Sequence, residues 1–109
     1  MFIELLADLK RERDRYVAET WRYLSAIKEA VWRVDPDAWV LAFGSFVRGD
    51  FRPDSDVDVL VVTTADKFAV YRAAADAVGR GPHPFEIHVA IPQEYESWYR
   101  RFIDAWQEV

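Results

Sequence analysis

From Phe2 to Val34, apolar side chains recur mostly three or four residues apart, at Phe2, Leu5, Leu6, Leu9, Tyr16, Val17, Trp21, Leu24, Ile27, Val31 and Val34. That is the period of an amphipathic helix. The run KRERDR at positions 10–15 interrupts the stripe and reads as a solvated helix face laced with i,i+4 ion pairs. Drawn straight, a helix of ~33 residues is ~50 Å long, more than the width of so small a domain. The pattern therefore predicts either a bend near the charged run or two leading turns, Phe2 to Leu9, that reach past the core. Asp35-Pro36-Asp37 ends the helix, because proline disfavours a helical conformation in the residue before it.

Beyond the proline the period changes. WVLAF and VDVLVV are short, nearly continuous apolar runs and predict buried strands at about 38–43 and 56–63; PFEIHVAIP predicts a third at about 85–91. Residues 66–78 read as a helix with Asp66 near its N-terminus, and Pro92 opens a last helix extending to about 108. In that last helix Tyr95, Trp98, Tyr99, Phe102 and Trp106 fall at helical spacing, as core packing on a sheet with some ring edges left for a partner. The class is α/β (α+β), a small mixed sheet of three or four strands covered by helices. One domain spans residues 1–109, with a long N-terminal helical part (1–34) and a core (38–109).

The segment between the first two strands carries the candidate chemistry. Gly44 lets the backbone turn at a strand exit with no Cβ in the way. Ser45 offers a hydroxyl and a peptide N–H at the start of a helical turn, where anions such as phosphate are favoured. Arg48, three residues on, shares a face with Ser45 and adds charged donors; Gly49 is placed to stop the turn. Asp56 and Asp58 are two apart at the mouth of the second strand, so their carboxylates project from one face. Two carboxylates so close repel each other unless a cation lies between them, and oxygen ligands suit Mg²⁺. On the third strand Glu86 and His88 share a face, with Phe85, Ile87 and Val89 on the other; His88 reads as surface or structural. The tripeptide Arg48-Gly49-Asp50 spells an integrin-recognition sequence by coincidence, and neither a P-loop nor a Rossmann glycine pattern occurs.

Composition narrows the classes. With no cysteine there are no disulfides or thiolate metal sites, and two histidines make zinc a poor expectation. No apolar run approaches the ~20 residues of a membrane span. The first residues carry acids inside a short apolar portion without a cleavage signature, so a cytoplasmic location is expected. The net charge of −5 lies wholly in residues 36–109, since residues 1–35 hold seven basic and seven acidic side chains. A surface of that sign repels a nucleic-acid backbone and suits a metal-chelated nucleotide.

The pattern G-S-x10-D-x-D, formed by Gly44, Ser45, Asp56 and Asp58 with Arg48 and Gly49 in the form GSxxRG, resembles that of the polymerase-β-like nucleotidyltransferase superfamily. In its shortness the chain is similar to the minimal nucleotidyltransferases (MNT), antitoxin partners of HEPN ribonuclease toxins in bacteria and archaea. The resemblance implies that fold, with Asp56 and Asp58 as ligands of two Mg²⁺ ions and Glu86 as a third carboxylate that completes the metal site and accepts the nucleophile's proton. It implies a nucleotide held at Gly44, Ser45 and Arg48, with ATP as the AMP donor and a tyrosine of a HEPN-type toxin as the acceptor. Two other readings stay open: a non-catalytic nucleotide-binding antitoxin that acts by covering its toxin, and a small-molecule nucleotidyltransferase working as a homo-oligomer.

Overall fold

A computed structural model describes residues 1–109. The chain runs α1 (Phe2–Ala18), α2 (Thr20–Val34), β1 (Trp39–Phe43), α3 (Ser45–Arg48), β2 (Val57–Val62), α4 (Lys67–Val78), β3 (Phe85–Ala90), α5 (Pro92–Glu94), a π-helical turn (Tyr95–Tyr99), α6 (Arg100–Phe102) and β4 (Trp106–Glu108). The four strands form one mixed sheet in the order β3-β2-β1-β4. β1 pairs antiparallel with β2 and with β4, and β2 pairs parallel with β3. The parallel pair is joined through α4, the helical crossover that parallel neighbours require.

Alternation along the strands divides the sheet into two unlike faces. Val40, Ala42, Val57, Val59 and Val61 point to one side, where they meet Leu24, Ile27 and Val31 of α2 and Val70, Ala74 and Val78 of α4. Both helices present residues three or four apart to this layer, the stripe expected of a core-facing helix. The other face is thinner. Leu41, Leu60 and Ala90 form its buried centre, covered by Tyr95, Tyr99 and Ile103. At the exit of α2, Asp35 accepts hydrogen bonds from the Thr63 hydroxyl and the Asp37 N–H, tying the helix end to the end of β2. The Thr63 bond holds the Asp35 carboxyl below its ordinary value. No helix is long and apolar enough to cross a membrane.

Two expectations are corrected. The long helix does break, but at Glu19, whose φ of −114° and ψ of 31° leave the helical region, and not at the charged run. Lys10–Asp14 and Arg11–Asp8 pair along the helix surface there and favour its continuation. The last helix does not reach 108. It ends at Phe102, Ile103 turns extended, and Asp104 accepts a hydrogen bond from the following Ala105 N–H. Trp106 to Glu108 then form the fourth strand beside β1, where the Trp106 ring meets Trp39 edge-on. Of the helical aromatic set, Tyr95 and Tyr99 face the sheet, whereas Trp98 and Phe102 lie exposed against each other.

No residue of α1 is buried, and Phe2 and Ile3 are 71% and 81% exposed. Its first two turns therefore reach past the core. Deleting residues 1–12 should leave a cooperatively unfolding domain whose stability changes by less than ~1 kcal/mol, the range of surface substitutions. Urea denaturation of the truncated chain checks this; loss of the cooperative transition would place these turns in the core.

Candidate active site

Three strands bring the functional groups together at one end of the thin face. Asp58 stands opposite Phe43 across the antiparallel ladder and opposite Glu86 across the parallel one. Leu60 is likewise opposite His88. Because successive side chains alternate, Asp58, Glu86 and His88 all emerge on the side of Leu41 and Leu60, away from α2 and α4. Their ligand atoms lie within 4.8 Å of one another. His88 Nε2 is 3.5 Å from Asp58 Oδ1 and 3.7 Å from Glu86 Oε1.

The histidine packs against two aromatic rings. Its ring lies 5.5 Å from that of Phe43 and 5.9 Å from that of Tyr99, centroid to centroid. Nε2 is buried, and its 3.5 Å approach to Asp58 is at the outer limit of a hydrogen bond. The pull of the Asp58 carboxylate raises the His88 pKa above its ordinary value, with burial opposing and Glu86 assisting. A half-buried carboxylate, a second carboxylate and an unpartnered imidazole nitrogen, all converging, form a donor set that fits a divalent cation.

Gly44 completes this wall. Its φ of 82° and ψ of −157° place it in backbone space that is essentially glycine's alone. A Cβ built there would lie 2.5 Å from Asp58 Oδ2. The turn thus brings backbone directly against the central carboxylate, and Ser45 begins α3 one residue later. With four residues, α3 is a single turn closed by left-handed Gly49.

The remaining predicted groups stand further off. Asp56 precedes β2 by one residue, is exposed, and has its Oδ1 4.0 Å from Arg13; it is not among the three clustered groups. Arg48 projects from α3 to Asp50 (3.3 Å) and Asp104 (3.4 Å). The charge of Asp50, before that of Asp104, raises the Arg48 pKa further. Arg48 therefore meets carboxylates on both sides where a free phosphate grip was expected.

Two groups here were not expected from the sequence. The spacing of His88 from Glu86 places both on one face, but that the imidazole closes in on Asp58 as well depends on the parallel register of β2 and β3. Arg13 belongs by sequence to the solvated charge run. It leaves that run to donate to the backbone carbonyls of Pro53 and Ser55, fastening α1 to the loop before Asp56. No local signal marks it among its charged neighbours. A groove lined by alanines of α2 and α4 together with Glu29, Arg33 and Asp76 lies on the other side of the sheet from Asp58, Glu86 and His88.

A family model described as a nucleotidyltransferase domain matches residues 24–107, a segment that holds every group of the site except Arg13. Among solved structures, a candidate nucleotidyltransferase is similar with a TM-score of 0.62 and 28% identity, over 76% of this chain and 92% of that one. A second candidate nucleotidyltransferase, from Sulfolobus solfataricus, gives a TM-score of 0.49 and 23% identity over 84% of this chain and 83% of that one. No match is found among curated proteins.

Proposed function

Because the chain belongs to the nucleotidyltransferase-domain family, we propose that it moves AMP from ATP to a hydroxyl on a partner protein, and that it is an MNT antitoxin whose acceptor is a tyrosine of a HEPN-type ribonuclease toxin. The observation that carries the chemistry is the carboxylate wall: Asp58 pressed against the Gly44 turn and converging with Glu86 and His88. The observation that favours a protein acceptor is the exposed apolar stripe of α1, with Phe2, Leu5 and Leu6 about half or more exposed.

In this mechanism the acceptor oxygen attacks the α-phosphorus of ATP, the bond from that phosphorus to the bridging oxygen of pyrophosphate breaks, and an AMP ester of the acceptor remains. Glu86, exposed at the edge of the cluster, takes the hydroxyl proton as the new bond forms. Asp58, with Asp56 and Glu86, would hold Mg²⁺, whose chemistry when bound is to neutralise charge on the triphosphate and on the attacking oxygen. Ser45 and the Gly44 backbone position the phosphates, and Arg48 joins them by exchanging its Asp50 or Asp104 contact for phosphate oxygens. The chain's contribution is positioning and charge complementarity.

The pairing of Arg48 with Asp50 and Asp104 favours one second reading, an antitoxin that binds its toxin and does not modify it. Incubation with a HEPN partner, ATP and Mg²⁺ separates the two. Transfer adds the mass of AMP to the partner, and the modified partner stays inactive as a ribonuclease once this chain is removed. Glu86→Gln should bind ATP nearly as the wild type does and transfer AMP ~10²–10⁴-fold more slowly, the usual worth of a general base. Inhibition that needs stoichiometric protein and leaves no added mass would establish the binding reading instead.

A further inference from the structure

The reading above leaves His88 without a task. Its ring packs against those of Phe43 and Tyr99, and Nε2 is buried, 3.5 Å from Asp58 and 3.7 Å from Glu86, too far from either for a well-formed hydrogen bond. Natural structures rarely leave a buried polar nitrogen unsatisfied, because it forfeits its bond to water and gains nothing in return. We propose that His88 Nε2 is a metal ligand, so that Asp58, Glu86 and His88 form a mixed nitrogen–oxygen site that takes a divalent transition-metal cation ahead of Mg²⁺. This rests on the reading of the carboxylate wall as the cation site of a nucleotidyltransferase.

The donor set decides the preference. Mg²⁺ is hard, holds its waters and takes oxygen ligands, whereas imidazole suits divalent transition metals such as Fe, Ni, Cu and Zn; Mn²⁺, the lowest of that affinity series, is the most demanding probe of the preference. Asp56 lies outside this cluster. An all-oxygen position for Mg²⁺, formed with the triphosphate, is therefore left to Asp56 and the shared Asp58. The two cations of the reaction would then differ: one resident and partly nitrogen-bound, the other arriving with the nucleotide. The competing account of the same geometry is an imidazolium that bridges the two carboxylates and leaves no room for a metal.

Titration of the full chain with Mn²⁺ in the absence of nucleotide, followed by electron paramagnetic resonance, separates these accounts. The bound Mn²⁺ should show spin-echo modulation from an imidazole ¹⁴N, and Mg²⁺ should displace it only at about tenfold or higher concentration. His88→Gln should lose the modulation and bind Mn²⁺ about tenfold more weakly. Absence of nitrogen modulation in the wild-type spectrum overturns the proposal, and that measurement needs no variant. Unchanged Mn²⁺ affinity in a folded His88→Gln overturns it equally. If AMP transfer proceeds with Mg²⁺ and no nitrogen is bound to Mn²⁺, only the role of His88 falls. If no cation supports ATP binding at all, the nucleotidyltransferase reading falls with it.

Discussion

Changing Asp58 to asparagine should abolish detectable AMP transfer and weaken Mg²⁺-dependent ATP binding by about tenfold or more, ~1.4 kcal/mol, in a protein that still folds. Asp58 is the shared member of the site: it faces Glu86 across one ladder, His88 across a 3.5 Å gap, and the Gly44 turn through its Oδ2. Asparagine keeps the side chain's shape and removes its charge. The fold should tolerate this, since the loss relieves repulsion between two facing carboxylates. The double variant Asp56→Asn/Asp58→Asn should bind no better. Calorimetric titration of ATP with Mg²⁺, alongside incorporation of labelled AMP into the partner, measures both effects. Wild-type affinity in a folded Asp58→Asn would remove this residue from the metal site.

Gly44→Ala should damage both stability and function through one methyl group. The backbone there is at φ 82° and ψ −157°, and holding a residue with a Cβ in that region costs ~1–3 kcal/mol. The methyl would also meet Asp58 Oδ2 at 2.5 Å, so the carboxylate or the turn must move. Either response opens the wall on which ATP is proposed to sit. Gly49→Ala is the informative comparison. Its φ of 94° carries strain as well, but a Cβ there meets nothing within 4 Å. It should lose stability, by ~1 kcal/mol, and retain ATP binding. Urea midpoints and ATP titrations on the two variants separate strain from contact; normal ATP binding by Gly44→Ala would show that the close approach to Asp58 is dispensable.

The order of elements from α2 to β3 could be read from the chain because each obeys its own period. Val57, Val59 and Val61 alternate, whereas Leu24, Ile27 and Val31 step by three and four. The Gly44–Asp58 pairing was legible for the same reason, as a turn glycine and a strand carboxylate flanking the loop that joins two strands. What escaped depends on tertiary partners. Trp106 to Glu108 become a strand only because β1 offers a free edge beside them; alone, their aromatic spacing continues a helix. Asp56 and Asp58 look equivalent in sequence, but the ladder begins at Val57, so one carboxylate is fixed by the sheet and the other answers to Arg13. The destination of Arg13, some forty residues along the chain, is set by how α1 leans on the loop.

The parallel pairing of β2 with β3 has a consequence for the order in which the site is assembled. Asp58 reaches its place beside Gly44 through β1 and β2, neighbours in sequence, so that half can form early. Glu86 and His88 arrive only after α4 has crossed over and docked, since parallel partners cannot meet through a tight hairpin. The wall formed by Asp58, Glu86 and His88 therefore does not exist in a chain whose third strand is undocked. A ligand that binds only the docked form stabilises it by mass action. Amide hydrogens of β3 should then exchange more slowly when metal is added, while those of the first two turns of α1, which pack on nothing, keep the rate of a fraying helix.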